Sequence, residues 1–166
     1  MSTELDAIDL KIVTELQADG RLTNVELADR VGLSPSPCLR RVRILEEQGV
    51  IRGYRAILDR KRIGLELTVF VGVKVERHHD EESSAFQAAV LKVPEVLACH
   101  LVSGEQDFLL EVSVANLEAY EHFLLDVLLK LPSVADVRSN FAIRTVKAVG
   151  SLPVPPFKRR SGARSA

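Results

Sequence analysis

Near residue 65 the apolar side chains of this chain stop recurring every three or four positions and begin to alternate every second one. Before the change stand Ile8, Ile12 and Leu16, then Leu27, Ala28 and Val31; after it stand Leu67, Val69, Val71, Val73 and Val75. A helix repeats its faces every ~3.6 residues and a strand every two, so the chain starts as helices and continues around a sheet. Beyond the first strand, Phe86, Ala89, Val90 and Val93 return to helical spacing until Pro94 breaks it. Two strands follow, over 96–103 and 108–114, joined by the turn residues Gly104-Glu-Gln-Asp107. Leu117, Tyr120, Leu124, Val127 and Leu131 form the stripe of a second helix ended by Pro132, and 135–147 reads as a last strand. The order β-α-β-β-α-β predicts a ferredoxin-like α+β unit with both helices on one sheet face. Its middle strands are apolar on both alternating sets, Leu97 and Leu101 against Ala98 and Val102. That pattern predicts a homodimer, itself part of a larger symmetric assembly, formed on the uncovered face.

The first fifty residues carry three helices with separate start signals. Asp6 is placed to cap the first, which Asp19-Gly20 ends. Thr23 and Glu26 have capping-box spacing for the second, which turns at Gly32. Ser34 is expected to cap the third, with Pro35 at its first position and Pro37 still within the first turn, where neither lost N–H matters; Gly49 ends it. The segment from Val50 to Leu58 reads as extended, β-rich chain suited to a wing or a connecting strand. The expected organisation is a helical domain over 1–58, a linker over 59–66, the ferredoxin-like domain over 67–148 and a disordered basic tail over 149–166.

A net charge of −1 hides a strong asymmetry. Residues 1–29 hold two basic and seven acidic side chains, whereas 30–62 hold nine basic and three acidic, a local excess of six positive charges. Residues 63–149 are acidic again, and 150–166 carry four basic side chains and no acid. On a wheel of about 100° per residue with Ser36 at zero, Arg40 and Arg43 fall within about 40° of it, while Cys38, Val42 and Leu45 lie opposite. A short helix with an apolar back and an arginine front, preceded by a tightly turned partner, suits the major groove of double-stranded DNA, where Arg reaches guanine O6/N7 or phosphate. Ser34, Ser36, Pro37, Arg40 and Arg43 are the candidate contacts, with Arg41, Arg52 and Arg55 to the sides for backbone phosphates. The plainer alternative is a three-helix bundle whose arginines only solubilise it.

Leu5-Asp-Ala-Ile-Asp-Leu-Lys-Ile-Val-Thr-Glu-Leu16, the run from Asn24 to Arg43, Gly49-Val-Ile-Arg-Gly-Tyr54, and Cys99-His-Leu-Val-Ser-Gly-Glu-Gln-Asp-Phe-Leu-Leu110 together resemble the leucine-responsive/asparagine-responsive regulators, the Lrp/AsnC or feast/famine family. The resemblance spans about residues 4–148. It is nearest the leucine-responsive branch at Ser34-Pro-Ser-Pro-Cys-Leu39 and His100-Leu-Val-Ser-Gly104. It implies a winged helix-turn-helix, sheet-mediated dimers that often build octamers, and an amino-acid effector held between dimers. The effector positions it implies are Val102, Ser103, Gly104, Asp107 and Phe108, joined by Leu117, Asn140, Phe141 and Ala142. The family commonly has Tyr where this chain has Phe108, which removes a hydroxyl. A free amino acid needs donors for its carboxylate, which a glycine turn supplies, and acceptors for its ammonium, such as Asp107 or main-chain carbonyls. Read without the resemblance, Gly104 serves only the turn and Asp107 only stitches the hairpin.

An enzyme of the sirohaem decarboxylase type is the alternative on a similar scaffold, with His78, His79, His100 and His122 as the available imidazoles. No Ser/His/Asp set, phosphate loop or carboxylate pair stands out, so no catalytic residue and no cofactor is expected. Cys38 and Cys99 have no Cys or His at metal-ligand spacing, which predicts inert thiols and neither a disulfide nor a metal site. With no apolar run near 18 residues and an acidic N-terminus, the chain is expected to be cytoplasmic and free of membrane.

Overall fold

The computed structural model describes residues 5–76, 80–148 and 150–154. The described residues form two compact units, one running up to Ile57 together with 147, 148 and 150–154, the other over 58–146.

In the first unit α1 spans Ala7–Ala18, α2 Asn24–Val31 and α3 Pro35–Glu47. Asp6 caps α1 by accepting the Ile8 and Asp9 N–H groups at 2.8 and 2.9 Å, and its own N–H donates to the Asp9 carboxylate at 3.1 Å. Thr23 and Glu26 form the expected reciprocal box on α2. Gly32, at φ 75°, makes the left-handed turn that lets the Leu33 N–H reach the Ala28 carbonyl at 2.9 Å. Ile12, Leu27, Ala28, Val31, Cys38 and Leu45 are the buried core of this bundle. Two expectations change. Ser34 occupies the N-cap of α3, yet its side chain makes no cap bond; Pro37 stands where a cap hydroxyl would find an N–H and has none to give. Residues 52–59 contain no strand, so the segment expected as β-rich lies without a ladder partner.

In the second unit the strands are β1 Leu67–Val75, β2 Val96–Leu101, β3 Phe108–Val114 and β4 Val134–Phe141, in the antiparallel order β2-β3-β1-β4. This is the ferredoxin-like arrangement, and the whole chain is an α+β protein. α4 spans Asp80–Val90 and α5 begins at Leu117. Val69, Val71 and Val73 pack with Phe86, Phe108, Leu110, Val112, Tyr120, Phe123 and Leu128 in one core. Each such large side chain contributes roughly 1.5–3 kcal/mol of burial. The linker belongs to this unit: Arg60 donates to Thr68 Oγ1 at 3.1 Å and to Glu111 Oε1 at 2.8 Å.

Three details depart from the sequence reading. α5 is α-helical only over Leu117–His122, then passes through a π turn, Phe123–Val127, and a 3-10 turn, Leu128–Lys130. The Leu128 N–H reaches back to the Leu124 and Phe123 carbonyls, and Phe123 and Leu128 are buried while Leu117 is 65% exposed. β4 stops at Phe141 instead of continuing to Lys147; β1 begins at Leu67, so this register offers no partner beyond Ile143, and the Thr68 carbonyl takes the Ala142 N–H. An irregularity between Val96 and Ala98 breaks the β2 alternation at Leu97, and Ala98 then faces Glu111. The face opposite the helices is mixed, carrying Phe70 and Leu109 among Thr68, Lys74, Glu111, Arg138 and Asn140. No helix among the described residues is long and apolar enough to cross a membrane.

Candidate nucleic-acid interface and effector turn

α2 and α3 are joined by a short turn and tied at their starts, where the Asn24 side-chain N–H donates to the Pro35 carbonyl at 2.8 Å. Cys38 and Leu45 anchor the back of α3 in the core. Ser36, Pro37, Arg40 and Arg43 stand exposed on the rest of the helix, and Ser34 is exposed at its start. Charge and donors therefore project from a helix that its apolar back holds in place. Burial pushes the Cys38 thiol up, which makes it inert.

Arg41 does something other than wait for phosphate. It donates to Asp6 at 2.7 Å and to Asp9 at 2.8 Å, the two carboxylates that cap α1. Burial alone would raise the Asp6 carboxyl, but the Asp9 N–H, the Arg41 guanidinium and the Ile8 N–H together hold it below its usual value. The Arg41 Nη1 is thus engaged inside the bundle. Arg52 and Arg55 are exposed. Between them the Tyr54 hydroxyl donates to Glu46 Oε1 at 3.0 Å and ties this segment to the end of α3.

The proposed effector positions fall into two groups. At one end of the sheet, the Val102 N–H donates to the Asp107 carbonyl at 2.9 Å, Gly104 has φ 140°, and the Asp107 N–H donates to the Val73 carbonyl at 3.0 Å. The buried Asp107 carboxylate accepts the Val75 N–H at 3.0 Å. Phe108 is 1% exposed and packs on Phe86 with ring centroids 4.8 Å apart. Both residues hold the turn from beneath; Val102, Ser103 and Gly104 form its reachable part. At the other end stand Leu117, exposed at the start of α5, and Asn140, Phe141 and Ala142 at the end of β4. Phe141 meets Tyr120 edge-on at 5.2 Å. Asn140 pairs with Phe70 and Phe108 with Val73, so roughly 10 Å of strand, at ~3.3 Å per residue, separates even the nearest rungs of the two groups, and the turn lies farther out. One copy does not bring the groups together.

His100 and His122 are exposed, and His78 and His79 lie outside the described residues. Among the described residues no cluster of three His, Cys, Asp or Glu could hold a metal ion.

Residues 5–52 match the winged helix-turn-helix DNA-binding family, and residues 68–152 match the Lrp/AsnC ligand binding domain. The chain belongs to the Lrp/AsnC family. The leucine-responsive regulatory protein of Rhizobium meliloti strain 1021 is 50% identical over 144 residues, 87% of this chain and 92% of the relative. That of Escherichia coli K12 is 46% identical over 151 residues, 91% and 92% of the two chains. Among solved structures, a transcriptional regulator of Neisseria meningitidis in complex with L-Met superposes with a TM-score of 0.85 at 44% identity, over 90% of this chain and 96% of the other. An AsnC family regulator of Agrobacterium tumefaciens gives 0.85 at 38% identity, over 90% and 97%. This Lrp/AsnC protein is therefore a transcriptional regulator with a helix-turn-helix domain for DNA and a second domain for a small-molecule effector. Nothing in these relatives supports the enzyme alternative.

The regulator uses several residues that the sequence pattern did not mark. The Asn24–Pro35, Arg41–Asp6/Asp9 and Tyr54–Glu46 contacts join separate segments, and no periodicity announces them. The one available signal was Asp9, three residues after Asp6, which is capping-box spacing.

Proposed function

We propose that this regulator lays α3 in the major groove of double-stranded DNA, and that a free amino acid bound at the β2–β3 turn changes its assembly or its DNA affinity. The carrying observation is the exposed Ser36, Arg40 and Arg43 face on a helix whose back is locked into the core. The matched neighbour that holds L-Met supports the effector class. Backbone N–H groups around Gly104 suit the amino acid's carboxylate, and main-chain carbonyls suit its ammonium, since Asp107 is engaged with β1.

An amino acid cannot span both groups of effector positions within one copy, so the site is completed by a second chain. A dimer also supplies the paired half-sites that a single recognition helix needs, and the family resemblance extends this to an octamer. The protein acts by binding, without catalysis, and works in the cytoplasm. In a gel-shift titration, Arg40→Ala with Arg43→Ala should weaken operator binding by several kcal/mol in total, at about 1–3 kcal/mol per specific contact, with the assembly unchanged. A double variant that binds as tightly as the parent refutes the groove assignment.

A further inference from the structure

The arginine row of α3 has an apolar neighbour. At about 100° per residue, Leu39 lies about 60° from Ser36, on the flank of Arg43, which follows it by four positions. The core of this unit is Ile12, Leu27, Ala28, Val31, Cys38 and Leu45, with Leu33 and Val42 among the side chains packed against it, and Leu39 belongs to neither set. It is 39% exposed. A lone leucine in water is ordinary on most surfaces, but this one stands on the part of the helix that faces the ligand.

Ile44 is equally exposed on the opposite flank, beside Arg40. It stands five residues farther along α3, about 7.5 Å at ~1.5 Å per residue. A recognition helix sets its N-terminal residues on the base edges. Leu39 shares the second turn of α3 with Arg40, so it is the flanking apolar side chain within reach of those edges. In the major groove the apolar mark that distinguishes one base is the C5-methyl of thymine, and apolar side chains contact it.

We infer that Leu39 reads a thymine methyl group beside the guanine that an α3 arginine contacts. The inference rests on the groove reading above and adds a sequence preference to it. Leu39 and Arg43 are about 6 Å apart along the helix and successive base pairs about 3.4 Å apart, so the thymine lies within about two base pairs of the guanine.

The test uses the full-length protein on an operator that the parent selects from random duplexes, with each thymine in turn replaced by deoxyuridine. The replacement removes the methyl and keeps the pairing. One carbon taken out of water is worth about fourfold in affinity, so uracil at the contacted thymine of one half-site should weaken the parent about fourfold, and of both half-sites about fifteenfold. L39A should bind the thymine and uracil duplexes equally, within about twofold. L39M, which keeps an apolar tip of similar volume, should retain the preference. The ratio of two affinities measured on one preparation does not move with fold stability, so lost packing alone does not give this result. I44A should discriminate as the parent does. A parent indifferent to uracil at every thymine overturns the assignment, as does an L39A variant that keeps the parent's preference. Loss of the preference in I44A alone moves the contact to the other flank and overturns it as well. A parent that selects no operator sinks the groove reading itself, which separates that failure from the failure of Leu39.

Discussion

Arg41 shows how one side chain in a basic run can serve the fold while its neighbours stand exposed. Arg40, Arg41 and Arg43 are equally cationic, but only Arg41 meets two carboxylates, and it binds the start of α1 to α3. Because solvent reaches Asp6, the interaction is worth roughly 1 kcal/mol or less. Arg41→Ala should lower the urea-unfolding stability of the first unit by about that amount at neutral pH, while the salt slope of DNA binding stays as in the parent. The Asp6 carboxyl lies below its ordinary 3.8 in the folded chain. Its stabilisation is therefore complete above pH 3.8 and is lost as pH falls through the depressed folded value. The stability gap between parent and variant should narrow in that acid window. A variant of normal stability with a shallower salt slope would return Arg41 to the phosphate backbone. Asp107 follows the same logic at the β2–β3 turn. Its carboxylate closes β1 through Val75, and the turn's reachable surface is left to Val102, Ser103 and Gly104.

α5 is the element in which packing overrides pattern. Its expected stripe was Leu117, Tyr120, Leu124, Val127 and Leu131, whereas the fully buried side chains are Tyr120, Phe123 and Leu128, about a π turn, and Leu117 is exposed. Leu128→Ala should cost about 2–5 kcal/mol of unfolding free energy. Leu125→Ala, on the exposed side, should stay within about 0.5 kcal/mol. Equal losses at the two positions would contradict the burial of Leu128 and the exposure of Leu125. Local chemistry explains what the sequence made legible: the Asp6 and Thr23 caps, the turn at Gly32, the β1 alternation and the helix breaks at Pro94 and Pro132 each depend on near neighbours. The end of β4, the irregularity at Leu97, the idle Ser34 hydroxyl and the docking of Ser151 and Leu152 on Gln17 depend on partners far away in the chain or on a missing proline N–H. Of the candidate site, the exposed arginine face was legible because helical period alone sets it. The separation of the effector positions was not, since only strand register shows that Asn140 and Phe108 meet different rungs of β1.

The whole molecule carries an exposed arginine helix in its first unit and a glycine turn between β2 and β3 in its second. Two copies of α3 related by symmetry should address half-sites about one helical turn apart, roughly 34–36 Å along the duplex. Guanine N7 lies in the major groove and is one of the atoms an arginine fork contacts. Methylation interference on a selected operator therefore measures the groove, the arginines and the pairing of copies together. Two clusters of guanines, one helical turn apart, should appear whose N7 methylation blocks the parent but no longer matters to Arg40→Ala/Arg43→Ala. Binding that tolerates N7 methylation at every guanine would contradict it.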